Sequence, residues 1–88
     1  MLFMVIEHFR PGAAESIAER FQLNGRMLPD NVTYFASWLD TAGTRCFQLM
    51  EAPAREALDP WIALWDDLIH IEIFPVLSSA EFWASRPL

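Results

Sequence analysis

The sequence has no lysine and a single cysteine, and each scarcity excludes something. One thiol, Cys46, allows neither an internal disulfide nor a thiolate zinc site, which needs two or more sulfurs. The six basic residues are all arginines, spread singly as Arg10, Arg20, Arg26, Arg45, Arg55 and Arg86. A nucleic-acid surface needs clustered positive charge to displace counterions, and there is none. With a net charge of −6, an anionic membrane surface would repel the chain. No apolar run approaches the ~20 residues of a membrane span. The opening segment has neither the basic start nor the small-residue cleavage site of a secretion signal. Three isolated glycines cannot cradle a phosphate. The expectation is a cytoplasmic protein with neither nucleic acid nor membrane as partner.

What the chain has in excess is hydrocarbon. Its 88 residues are 53% hydrophobic, with four Trp and seven Phe. That length makes one domain. Such a domain buries only about 60–65% of the surface of its unfolded chain. The surplus of aromatic groups therefore points to a second chain that covers some of them.

The period of the apolar pattern changes along the chain. Leu2 to Phe9 is a run suited to a strand buried on both faces. From Ala13 to Leu23, Ala14, Ile17, Ala18 and Phe21 fall on one helical stripe, and Asn24-Gly25 stops it. Val32 to Asp40 is rich in β-formers, Thr41-Ala42-Gly43 turns, and Thr44 to Glu51 runs back. Ala54 to Leu68 is helical again, with Asp59-Pro60 read as N-cap and first helical position. Ile69 to Leu77 is a last strand, where Pro75 suits an edge. Ser78-Ser79 caps a short turn carrying Phe82 and Trp83.

The order β-α-β-β-α-β predicts a ferredoxin-like, split βαβ α+β fold. Its antiparallel sheet has spatial order 4-1-3-2, with both helices on one face. Residues 1–77 make the domain, and residues 78–88 a C-terminal tail with a short helix.

Alternation along the strands predicts two faces. The greasier set, Met4, Ile6, His8, Tyr34, Trp38, Phe47, Leu49 and Ile69, Ile71, Ile73, is expected to meet the helices. The mixed set, including Phe3, Glu7, Phe9, Phe35, Leu39, Gln48, His70, Glu72 and Phe74, is expected to face outward. Its aromatics are worth roughly 1.5–3 kcal/mol each on burial. The simplest cover is the same face of a second copy, giving a homodimer.

The chain resembles the dimeric α+β barrel superfamily. More closely, it resembles the small family called domain of unknown function 3303. The residues that carry this likeness are the opening MLFMVIEHF, the NGRMLP loop, Ser37-Trp38, the strand RCFQLME and the helix Trp61 to Leu68. The resemblance implies the fold and the dimer, but no established activity. Wider relatives include cofactor-free monooxygenases, haem-degrading enzymes and small-lactone isomerases, with active sites between sheet and helices. None of their catalytic residues maps clearly onto this chain.

Candidate site residues follow from topology. Glu7, His8, Ser37, Trp38, Arg45, Cys46 and His70 converge at one end of the sheet. Glu7 beside His70 is a candidate acid/base pair, since a carboxylate raises and orients an imidazole. Gln48 and Glu72 lie further along that face. His8 near Tyr34, Trp38, Trp61 or Trp65 is a candidate for holding a flat apolar ligand. Equally, Trp61 and Trp65, one helical turn apart, have the spacing of plain core. Arg26 is a candidate carboxylate anchor. Two ligands do not make a metal site, so no metal and no tightly bound cofactor is expected. Two readings result: a dimer that binds or transforms a small apolar or aromatic metabolite, or a non-catalytic structural dimer. A solvent-reachable cavity lined by His8, Trp38 or Trp61 separates them.

Overall fold

In a computed structural model, which describes residues 1–86, the predicted element order is present. Strand β1 (Leu2–Phe9) leads to helix α1 (Ala14–Asn24), then to the hairpin β2 (Thr33–Leu39) and β3 (Arg45–Glu51). A 3-10 turn (Arg55–Leu58) runs into α2 (Asp59–Trp65), followed by β4 (Ile69–Val76) and α3 (Ser79–Ala84). The sheet order is β2-β3-β1-β4, the ferredoxin-like order read from the other edge, and every pairing is antiparallel. The end of the predicted tail, residues 87–88, lies outside the described residues.

Local chemistry explains the boundaries. Helix α1 ends at Gly25, whose φ of 67° and ψ of −157° suit only a residue without a Cβ. Pro60 sits in the first turn of α2, where its missing N–H costs nothing. The helix begins one residue earlier than predicted, with Leu58 as N-cap. Asp40 organises the β2–β3 turn: its carboxylate accepts from the Thr44 N–H (2.8 Å), the Thr44 hydroxyl (2.9 Å) and the Arg45 N–H (3.2 Å). These bonds, led by the Thr44 N–H, hold its pKa down at about 2. Ser78 caps α3 through the Glu81 N–H. Both sheet edges are interrupted, β4 by Pro75 and β2 by a bulge at Phe35, which discourages edge-to-edge pairing.

The core is Phe3, Val5, Met50, Leu58 and Trp61, all under 2% exposed. Burial of each is worth roughly 1.5–3 kcal/mol. It lies between the helices and the face that carries Phe3, Val5, Glu7 and Phe9. This reverses the predicted assignment of faces. Register pairs Val5 with Gln48 and Ile73, and Glu7 with Cys46 and Ile71, so these groups share the helix side. Ile69, Ile71 and Ile73 are on that side as expected, but their predicted companions Met4, Ile6 and His8 are not. The bulge at Phe35 changes the phase of β2, so Tyr34 and Ser37 both point to the helices while Trp38 points away.

The opposite face holds Met4, Ile6, Trp38, Phe47, Leu49 and Phe74. It is open: Trp38 is 55% and Phe74 44% exposed. Hydrophobicity alone cannot say which of two apolar faces is covered within the chain. The polar groups Glu7 and Gln48 suggest the outward side, yet the helices cover them. The molecule measures 49 × 30 × 17 Å with a radius of gyration of 14.5 Å. A compact chain of this length would have about 12 Å. It is a two-layer slab with one uncovered layer. No helix among the described residues is long and apolar enough to cross a membrane.

Candidate functional site

No residue of α1 is fully buried. The helix is tied to the end of α2 by Arg20, whose guanidinium forms a bidentate pair with Asp67 (2.8 Å each) and donates to the Leu64 carbonyl (2.8 Å). Beneath α1 and α2 lies a cavity of about 220 Å³. Its roof is apolar: Ile17 and Phe21 from α1, Trp61 and Trp65 from α2. Its floor is polar: Glu7 from β1, Ser37 from β2, and Cys46 and Gln48 from β3. Phe9, Leu39 and Ile69 close the sides, and Arg26 enters from the loop after α1.

The loop is built to aim Arg26. Gly25 before it and Met27 after it both have positive φ, 67° and 60°. For a residue with a Cβ, as at Met27, that conformation costs on the order of 1–3 kcal/mol and is often found where function fixes the backbone. The Trp65 indole donates to the Arg26 carbonyl at 3.1 Å. The guanidinium lies 3.7 Å from the centre of the Tyr34 ring and 5.2 Å from Phe21. The Tyr34 hydroxyl is bonded to Ser37 at 2.7 Å, which fixes the ring. Arg26 itself reaches Ser37 and Gln48 only at 3.4 and 3.5 Å.

Glu7 is the buried acid of the floor. Loss of water raises its pKa above the ordinary value, while the neighbouring Cys46 thiol and the charge of Arg26 draw it partly back. Cys46 is pushed up to about 12, first by burial and then by the charge and hydrogen bond of Glu7. It is therefore a thiol at neutral pH and a poor nucleophile. Arg45, its sequence neighbour, pairs with His8 on the other face and does not activate it. Trp61 is 1% exposed, and its indole N–H has no acceptor among the described residues.

The expected cluster is thus split by the sheet. Glu7, Arg26, Gln48, Trp61 and Trp65 meet at the cavity, with Tyr34 behind Arg26. His8, His70, Glu72 and Trp38 lie on the open face. There the His8 Nε2 meets a Glu72 carboxylate oxygen at 2.5 Å, and the His8 and His70 rings lie 5.8 Å apart. Glu7 sits across from Ile71, so the predicted Glu7–His70 pair is not formed. His8 packs with His70, its partner in register, instead of under the tryptophans. No group of three His, Cys, Asp or Glu among the described residues is placed to hold a metal ion. Phe21 and Ile17 are site residues that the sequence reading misses, although their helical stripe marks them as facing the sheet.

A raised carboxylate pKa has a definite consequence for stability. Glu7 binds its proton more tightly folded than unfolded, so its contribution is fully present below the unfolded value of 4.5 and is lost as pH rises through the folded one. Each tenfold gain in proton affinity on folding is worth about 1.4 kcal/mol. Glu7→Gln, uncharged and of the same shape, is expected to be more stable than the parent by on the order of 1 kcal/mol at about pH 8 and to flatten this slope. Urea midpoints at about pH 5 and pH 8 check it; parallel slopes in parent and variant would contradict it.

Fold and cavity together define a small ferredoxin-like α+β domain with a pocket between its layers. The chain belongs to the family described as Domain of unknown function (DUF3303), whose model matches residues 1–85. Among solved structures it is similar to Rv0793 from Mycobacterium tuberculosis. That match has 17% identity and a TM-score of 0.54, and covers 91% of this chain and 99% of that one. At this identity the likeness shows the fold alone. Comparison with curated proteins gives no match.

Proposed function

We propose that the protein is a cytoplasmic homodimer that binds a small apolar or aromatic molecule in the cavity between sheet and helices, one in each subunit. The observation that carries this is the cavity, with its apolar roof, polar floor and aimed arginine. Few polar groups set in apolar walls are what orients a small ligand. An apolar cavity of about 150 Å³ accommodates benzene, so about 220 Å³ suits one ring with a small substituent. The alternative, a purely structural dimer, calls for a filled layer between sheet and helices, and the cavity speaks against it. Of the three residues expected to mark such a cavity, Trp61 borders it; His8 and Trp38 belong to the open face.

The dimer rests on that open face. A continuous patch of Met4, Ile6, Trp38, Phe47, Leu49 and Phe74 has no cover within the chain. A second copy related by a two-fold axis offers the same patch and closes the slab on both sides. His8, His70, Glu72 and Arg45 then lie toward one end of the interface.

Ligand binding is tested on the whole chain with indole and benzyl alcohol as probes. Binding to the folded state alone at tenfold excess over Kd adds about 1.4 kcal/mol. For a domain of this size that raises Tm by roughly 6–11 °C. The Trp61 and Trp65 indole N–H signals are expected to shift in NMR, and Ile17→Trp, which fills the cavity, to remove both effects. Unmoved indole signals at saturating probe would sink the proposal.

A further inference from the structure

We infer that the ligand is a compact carboxylic acid, with its carboxylate on Arg26 and its apolar body beneath Phe21, Trp61 and Trp65. This rests on the cavity being a ligand site, and adds the chemical class that it takes. The chain carries twelve acidic residues against six basic ones, so carboxylates are in surplus. Arg20 and Arg45 have found them, in Asp67 and Asp40. Arg26, half-buried at the cavity wall, has none within 4 Å among the described residues. Its hydrogen bonds to Ser37 and Gln48, at 3.4 and 3.5 Å, are at the outer limit for such contacts. A guanidinium has five donors in a planar fork that matches a carboxylate with two parallel bonds.

This fork is also held still. Tyr34 stacks against it at 3.7 Å, and the Trp65 indole fixes its backbone. Little motion is left to lose when an anion arrives, which is how preorganisation raises affinity.

The floor beside it holds a single carboxyl group, Glu7. The polar groups that act on Glu7 are Cys46 and the charge of Arg26; α1, α2 and β4 bring only Ile17, Phe21, Trp61, Trp65 and Ile69 to the cavity. Burial raises the pKa of Glu7, so a negative charge there is less favoured than on an exposed carboxylate. Arg26 is the one basic group among the residues that line the cavity, and an incoming carboxylate meets its charge. The size of the cavity limits the acid to about one ring and its carboxylate.

The test compares matched probes that differ only in charge: benzoate against benzamide, and phenylacetate against phenylacetamide, by calorimetry on the full chain. Each acid is expected to bind about tenfold or more tighter than its amide, the range of a charge-assisted bond. Arg26→Met is expected to bring acid and amide together by weakening the acid alone. Arg26→Lys keeps the charge without the fork and is expected to retain part of the preference. Equal affinities for acid and amide in the parent protein would overturn the inference while leaving the cavity a ligand site. Binding of neither probe would overturn the cavity reading, and this inference with it.

Discussion

Phe47→Glu is expected to leave the fold intact and to turn the proposed dimer into a monomer. Phe47 lies on the open face, opposite Ile6 on β1 and Trp38 on β2. It is half-buried within its own chain, so a carboxylate there still reaches water. Arg45, two residues away on the same side, already lies 5.5 Å from the Phe47 ring and can pair with the new charge. In an isolated subunit the change therefore costs little, within the range of surface substitutions. At the proposed two-fold interface the same change would put a carboxylate from each copy into an apolar layer. Taking each carboxylate out of water costs several kcal/mol. A penalty of even about 4 kcal/mol weakens association roughly a thousandfold. Sedimentation or light scattering at micromolar concentration is expected to show a dimer for the parent and a monomer for the variant, with the same circular dichroism. A parent that is already monomeric under these conditions would remove the dimer from the proposed function and leave the open face unexplained.

Much of this architecture is legible in the residues. The change from the apolar run of Leu2 to Phe9 to the helical stripe of Ile17 and Phe21 marks the first unit, and Asn24-Gly25 marks its end. The second unit follows in the same way, and right-handed crossovers fix the strand order. The assignment of faces is not legible, for a physical reason. Both faces of β1 are apolar, and alternation says only which residues travel together. The polar Glu7 and Gln48 suggest an exposed side when each residue is judged alone. They are tolerated under the helices because they line a cavity with Arg26 at its wall. The bulge at Phe35 has no residue signature either, yet it puts Tyr34 and Ser37 on one side and so builds the cradle of Arg26. Arg26 can be singled out from its loop as an anion anchor, but its stacking partner cannot. The pairing of His8 with Glu72 is out of sight because it depends on which residues of β4 stand opposite β1, and a shift of one residue moves every side chain to the other face.

Trp61 is where fold and site are hardest to separate, and two substitutions there distinguish them. Trp61→Ala removes the largest fully buried side chain of the core, beside Phe3, Met50 and Leu58. Truncations of this kind cost about 3–5 kcal/mol. A domain of this length has roughly 4–13 kcal/mol in total. The variant is therefore expected to lose roughly a quarter or more of its stability, with a much lower urea midpoint. Trp61→Phe keeps most of the packing and removes the indole N–H. A tryptophan with a satisfied N–H would lose both a bond and its packing. Here the N–H has no acceptor among the described residues, and an unsatisfied buried donor costs about 1–3 kcal/mol. Its removal offsets part of the lost contact area, so Trp61→Phe is expected to cost less than about 2 kcal/mol. If Trp61→Phe is as damaging as Trp61→Ala, the N–H is contributing a bond in the folded protein. If it is nearly neutral, the donor is free to meet a ligand acceptor in the cavity, and the acid and amide probes should both shift its signal in the parent protein.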